Sequence, residues 1–145
     1  MRRSVPKIPS DFSEVDHERL LIQAFIVPSK RTRMIDLLSK PKRRSKILVK
    51  LPHFRDLNLR YSFKIPSSLQ TSKGIHDLLK KKGAPELCYI ISIDPQLDAK
   101  KKTLSEALDQ IVGFSDGVLI SCIPGRLGYY EGEDPGERYI LERTE

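Results

Sequence analysis

The sequence between residues 118 and 142 reads VLISCIPGRLGYYEGEDPGERYILE and contains three short apolar segments separated by turn residues. The segment 118–123 is apolar at consecutive positions, which is typical of a strand buried on both faces. Pro124-Gly125 fits the two middle positions of a type II turn, and the segment 127–131 then returns as the neighbouring strand. A second turn, rich in glycine and acidic residues, leads to a third strand at 138–142. This stretch therefore predicts a three-stranded meander whose first strand lies inside a sheet.

The residues upstream of the meander predict a further strand and a helix. Leu87–Ile93 is an apolar run of strand length. Thr103 begins a Thr-x-x-Glu capping box, and the apolar stripe that follows predicts a helix ending at Gly113. The polar segment between them, which contains Lys100-Lys101-Lys102, is predicted to be a loop. The second half of the chain should thus form a βαβββ-like block with a crossover helix.

Prolines divide the first half of the chain into predicted helices. Ser29 is the expected N-cap of a helix over Lys30–Lys40. A second helix is predicted over Pro41–Leu51, because proline suits the first turn of a helix. Ser72 is expected to cap a third helix, which stops before Gly83.

Two segments of the first half are ambiguous. Apolar residues within Val15–Phe25 fall at helical spacing, with Asp11 or Ser13 as the cap, but Leu20–Val27 also fits a strand. The alternation of apolar residues over Leu59–Ile65 is compatible with a further strand.

Together these elements predict an α+β fold: a basic helical N-terminal half packed on one side of a small mixed β-sheet formed mainly by the C-terminal half. The chain has 145 residues, and residues 11–145 are expected to form a single domain. Residues 1–10, with two prolines and three basic residues, are expected to be a flexible basic arm. No apolar run approaches the roughly 20 residues of a membrane span, so no membrane is expected as a partner. The N-terminus also lacks the apolar stretch of a secretory signal.

The charges are distributed unevenly along the chain. Residues 1–82 carry 20 Lys and Arg against 7 Asp and Glu, a net charge of +13, whereas residues 83–145 carry 6 against 12, a net charge of −6. The basic segment, defined as Lys30–Arg60, holds eleven Lys and Arg and two acids. Such a concentration of charge predicts a polyanionic partner, first of all RNA or DNA backbone. The residues expected to contact it are Arg31, Arg33, Lys42, Arg43, Arg44, Lys46, Lys50 and Arg55.

The predicted helix at Pro41 gives this charge a location. Lys42, Arg43 and Arg44 would occupy its first turn, where the helix dipole disfavours each cation by about 0.3 kcal/mol or more. A bound anion would relieve that cost. Arg44 differs from its neighbours, because it falls near the apolar arc of the helix and is expected to pair with a carboxylate of the second half.

The acidic turn of the meander offers a different role for the basic segment. Glu131, Glu133, Asp134 and Glu137 could neutralise it, within one molecule or between two copies. The chain would then be an interaction or regulatory module that docks an acidic protein partner or self-associates.

A small phosphate-handling enzyme is the third possibility. It would combine His53 and Arg55 with Arg126 and Glu131. The sequence contains no nucleophile elbow, P-loop or metalloprotease motif to accompany them, so no catalytic residue is assigned.

No metal or cofactor is assigned either. The acidic turn lacks the spacing of a calcium-binding loop. Cys88 and Cys122 lie in apolar stretches without zinc-ligand spacing, and they are expected to be buried free thiols. Free thiols are typical of the reducing cytoplasm, which is the expected location.

Overall fold

The computed structural model describes residues 14–144, with side chains from residue 16 onward. The basic arm predicted for residues 1–10, and the capping roles predicted for Asp11 and Ser13, lie outside the described residues. The helices of the described part are α1 (Glu14–Phe25), α2 (Arg31–Leu38), α3 (Ser45–Leu48), α4 (Ser72–Lys81) and α5 (Leu104–Ile111). Its strands are β1 (Ser62–Lys64), β2 (Leu87–Ser92), β3 (Lys100–Thr103), β4 (Val118–Ile123), β5 (Leu127–Glu131) and β6 (Arg138–Glu142). The predicted α+β class is confirmed.

All six described strands form one sheet in the order β1-β6-β5-β4-β2-β3. Every pairing among them is antiparallel, so the prediction of a mixed sheet is wrong. The reason is β3, which occupies the segment predicted to be a polar loop. This strand reverses the chain once more before α5, so β4 returns antiparallel to β2 rather than parallel to it.

The three-stranded meander predicted for residues 118–142 is confirmed. β4 pairs with β5 and β5 with β6, in a register that aligns Ile120, Tyr129 and Ile140 across the three strands. The Arg126 amide donates to the Ile123 carbonyl at 2.9 Å across the β4–β5 turn. Gly125 has a φ of +75° at the third position of that turn, as a type II turn requires.

Helices cover both faces of the sheet, so the prediction that they lie on one side is wrong. On the α1 face, helices α1, α2 and α3 pack against Tyr89, Leu119 and Tyr130. On the α4 face, α4 and α5 pack against Ile90 and Ile120. Successive residues of β2 and β4 are buried, so each of these strands needs cover on both faces.

The predicted helix ends are right in part. Thr103 caps α5, accepting a hydrogen bond from the Glu106 amide at 3.2 Å. The cap of α4 is Thr71 rather than Ser72, since its hydroxyl accepts from the Gly74 amide. The predicted cap Ser29 instead lies within a 3₁₀ turn that precedes α2.

The ambiguous segments resolve differently. Val15–Phe25 belongs to helix α1, and Ile26 then forms an isolated bridge with Leu57. Of the predicted strand over Leu59–Ile65, only the three residues of β1 are extended, because a 3₁₀ turn takes up its beginning. None of the helices within residues 14–144 is long and apolar enough to cross a bilayer.

Candidate polyanion-binding surface

The helix predicted over Pro41–Leu51 is much shorter in the structure. Pro41 to Arg44 form consecutive turns, and regular helix is limited to the four residues of α3. The amides of Arg43 and Arg44 both donate to the Lys40 carbonyl, at 2.8 and 2.9 Å. Lys42 and Arg43 therefore lie outside the regular helix and Arg44 is its N-cap, so the dipole cost predicted for cations in the first turn of a longer helix does not apply as stated. Any affinity for anions must come from the side chains.

From Arg33 to Arg55, six exposed lysines and arginines have no ion-pair partner among the described residues, and we call them the basic face. They are Arg33, Lys42, Arg43, Lys46, Lys50 and Arg55. Within the part of the chain that the structure describes, none of the six forms an ion pair or a side-chain hydrogen bond. All six belong to the set that the sequence predicts to contact a polyanion.

Lys40 and two arginines of the basic face lie close enough to Asp36 to lower the pKa of its carboxyl group. The hydrogen bond and charge of Lys40 lower the pKa of Asp36, and the charges of Arg43 and Arg33 act in the same direction. Asp36 already has Lys40 as its ion-pair partner. This acid therefore cannot balance the other cations around it.

A groove beside the basic face offers a place for a ligand. Its volume is about 420 Å³, and its lining includes Lys30, Lys50, His53 and Arg55. Asp56 is the one carboxylate in that lining. The groove thus presents mainly cationic and neutral side chains.

Arg44 is separate from the basic face. Its Nε and Nη2 donate to the two carboxylate oxygens of Asp98 at 2.7 and 2.9 Å, and Nη2 also lies 2.6 Å from Glu18 Oε2. Its Nη1 donates to the Leu38 carbonyl at 3.0 Å. Burial alone would lower the pKa of Arg44, but the hydrogen bonds to Asp98 and Glu18 outweigh it and raise the pKa. The predicted pairing with a carboxylate of the second half is confirmed, and four of the five N–H donors of Arg44 are engaged within the protein.

The Arg44 contacts belong to a buried polar network that the sequence did not predict. Tyr89 donates its hydroxyl hydrogen to Glu18. One helical position earlier, His17 stacks on the Tyr89 ring and bonds Ser121 Oγ through Nδ1 at 2.8 Å. The available signal was helical spacing, since Glu18 lies one turn before Ile22 on the buried side of α1. The network joins α1 to the sheet and supports the segment that carries the basic face.

Arg31 is intermediate between the exposed cations of the basic face and the buried Arg44. Its Nε donates to the Ile26 carbonyl at 2.9 Å, and the residue is half-buried. It therefore borders the basic face but has one of its donors engaged.

Glu131 is a buried carboxylate at the end of β5. It accepts hydrogen bonds from the Tyr129 hydroxyl at 2.6 Å and from the Gly113 amide at 3.0 Å. Burial raises the pKa of Glu131, while the hydrogen bond from Tyr129 and the charge of Arg138 oppose the shift. These contacts fit a role in joining the α5 end to the meander.

The rest of the acidic turn contacts Pro52 and His53 within the basic segment and leaves the side chains of the basic face exposed. The Glu133 amide donates to the Pro52 carbonyl at 2.8 Å. His53 lies 3.2 Å from the Glu133 carboxylate and 3.6 Å from that of Glu137. His53, Asp134 and Glu137 each place one possible metal-ligating atom within 4.8 Å of the others, so this is where the described residues could hold a metal. The carboxylates of the acidic turn therefore contact His53 rather than the cations of α2 and α3.

The structure does not assemble the residues of the predicted phosphate-handling enzyme. His53 adjoins the acidic turn near the Glu131 end of β5. Arg126 lies in the turn before β5, at the other end of that strand. Five residues of extended strand separate Arg126 from Glu131 by about 17 Å. One substrate phosphate cannot contact both side chains.

Comparison of the chain with protein-family models, with curated proteins and with solved structures found no match.

Proposed function

We propose that this protein is a non-enzymatic binding domain that contacts a polyanion, first of all nucleic-acid backbone, through the basic face. The observation that carries the proposal is the absence of ion pairs at six exposed cations within residues 16–144. Some cations outside the basic face have acidic partners, as in Lys73 with Asp77 and Lys82 with Glu142. Exposed lysines without an ion pair among the described residues, such as Lys80, Lys81 and Lys100, also occur, but they lie on α4 and β3. Clustered unpaired cations repel one another, and a polyanion replaces that repulsion with attraction.

The chemistry of the basic face suits phosphates. Arg33, Arg43 and Arg55 supply forked donors that match phosphate oxygens, while the lysines act as point charges. Such contacts go to the backbone and release counterions, so binding should be strongly salt-dependent and insensitive to base sequence. If all six cations contact a duplex, the slope of log K against log salt should be about −5.

The central test removes three charges from the basic face by K46A, K50A and R55A together. A matched control, K80A, K81A and K100A, removes three exposed charges from α4 and β3. We expect the first variant to elute from heparin at lower salt and to lose at least about tenfold in affinity for a DNA duplex at low salt. Its salt slope should become shallower by about 2.7. The control variant should lose much less affinity for the duplex and elute from heparin closer to the wild-type protein.

Three results would decide against the proposal. Wild-type protein that flows through heparin at about 50 mM salt has no polyanion site of this kind. Equal losses for the two triple variants would mean that net charge, and not the basic face, determines binding. Retention on heparin and on an acidic polypeptide, without binding to RNA or DNA, would favour the alternative of an acidic protein partner.

We also propose a cytoplasmic location, which is supported by the two buried free thiols, Cys88 and Cys122.

A further inference from the structure

A second groove lies at the open edge of the sheet, where β1 begins and β6 ends. Its volume is about 360 Å³, and Arg60, Tyr61, Phe63, Glu142 and Arg143 contribute to its lining. Phe63 is 51% exposed although it belongs to a strand. Phe63 therefore presents a solvent-accessible ring in a groove that is also lined by two arginines.

The groove is lined by two arginines, and both guanidinium groups lie against the ring of Tyr61. The Arg143 guanidinium lies 4.3 Å from the centre of the Tyr61 ring, and that of Arg60 lies 5.6 Å from it. Arg143 is also fixed by a hydrogen bond from Nη1 to the Ala24 carbonyl at 3.2 Å. The one carboxylate in the lining, Glu142, is paired with Lys82 at 2.8 Å. The groove therefore does not repel an anion.

We infer that this groove stacks a base of a single-stranded nucleic acid on Phe63, while Arg60 and Arg143 contact the adjoining phosphates; the inference rests on the proposed polyanion binding and narrows its ligand. Every nucleobase has a flat face, so aromatic stacking accepts any sequence. A duplex hides its base faces in its own stack and cannot use Phe63 in this way.

The groove and the basic face can contact the same single-stranded nucleic acid. Arg55 of the basic face and Arg60 of the groove are five residues apart, which limits their Cα separation to about 18 Å. Small domains that bind single strands cover about 4–16 nucleotides, so one oligonucleotide can reach both. The bound oligonucleotide would run along the protein segment that joins α3 to β1.

The test compares F63A with F114A, which removes an even more exposed ring elsewhere. Phe114 is 79% exposed beside Asp94 and Asp116. The probes are RNA and DNA single strands of about 12 nucleotides, abasic strands of the same length and a duplex. We expect F63A to weaken binding to the base-containing strands at least about fivefold and to leave abasic strand, duplex and heparin unchanged. F114A should change none of these affinities, and F63Y should keep the wild-type affinity because it keeps the ring.

The failure of this inference can be told apart from the failure of the proposed function. If wild type and F63A bind all probes equally well, the basic face remains the polyanion site and the stacking inference is overturned. If wild type binds neither heparin nor any oligonucleotide, both proposals fall. If F63A changes only the molar mass measured by light scattering, Phe63 contacts a second copy of this chain at the strand edge, which also overturns the inference.

Discussion

Arg43 and Arg44 are neighbours in sequence but have different surroundings, because the chain turns between Lys40 and α3. Arg43 is exposed, whereas Arg44 lies between α1 and the β2–β3 connection, in contact with Glu18 and Asp98. A guanidinium has five N–H donors in a fixed fork, and it can satisfy both carboxylates and a carbonyl at once. A lysine at this position could not reproduce that geometry.

Removal of Arg44 should therefore be costly for stability. In R44A the carboxylates of Glu18 and Asp98 stay largely buried but lose their common partner, and breaking such a pair costs about 3 kcal/mol. R43A, which removes an exposed neighbour, should change the free energy of unfolding by about 0.5 kcal/mol or less. Urea denaturation of the two variants measures the difference. Equal stabilities would show that the Arg44 network does not hold α1 to the β2–β3 connection.

The environment of Arg44 shows how far the sequence can predict a site. Its position near the apolar arc predicted a carboxylate partner from the second half. The identity of that partner could not be predicted, because Asp98 lies 54 positions away and the contact depends on how the elements pack. His17 and Glu18 were missed for the same reason, since only the packed α1 shows that Tyr89 and Ser121 lie opposite them.

At the scale of elements, β3 is the strand that the sequence did not predict. Lysine disfavours strands, and Lys100-Lys101-Lys102 has no apolar alternation. The strand forms because β2 presents a free edge, and Lys102 and Lys100 pair with Cys88 and Ile90 along it. Lysines at a sheet edge discourage pairing with another chain. The missed strand also explains why the sheet is antiparallel throughout and not mixed as predicted.

The lysines of β3 should therefore keep the protein from associating through this edge. The double variant K100V and K102V should remain folded and form larger species at high concentration, because an apolar edge strand is a template for pairing. The control K80V and K81V makes the same chemical change on helix α4, where backbone donors are already bonded. Light scattering against concentration compares the two. Association of both variants to the same extent would attribute the effect to surface hydrophobicity alone.

At the scale of the whole molecule, the central question is whether the two helical layers behave as one unit. The sequence predicted a single domain but placed all helices on one side, because periodicity cannot tell which face of a buried strand a helix covers. β4 contributes Leu119 to the α1 face and Ile120 to the α4 face. Both cores therefore share the same strands. If the sheet opened, the apolar residues of both cores would be exposed to water.

Sharing these strands predicts one cooperative unfolding transition, and the chain carries separate reporters for its two faces. The protein has no tryptophan, and of its five tyrosines only Tyr129 packs on the α4 face. Both cysteines lie on the α4 face, where burial raises the pKa of Cys88 to about 12 and raises that of Cys122 well above its usual value. These thiols should not react in the native state, because the thiolate is the reactive form.

Tyrosine fluorescence therefore reports mainly the α1 face, and thiol labelling reports the α4 face. Under urea the two signals should change with the same midpoint and the same slope, as a two-state transition requires. The labelling pulse must be short compared with unfolding, so that it samples the equilibrium population. Thiol labelling at lower urea than the fluorescence change would mean that α4 and α5 open independently, and the two layers would then be separate folding units. A coincident transition would mean that the basic face on α2 and α3 and the groove at β1 belong to one cooperative body, as binding of a single strand to both surfaces assumes.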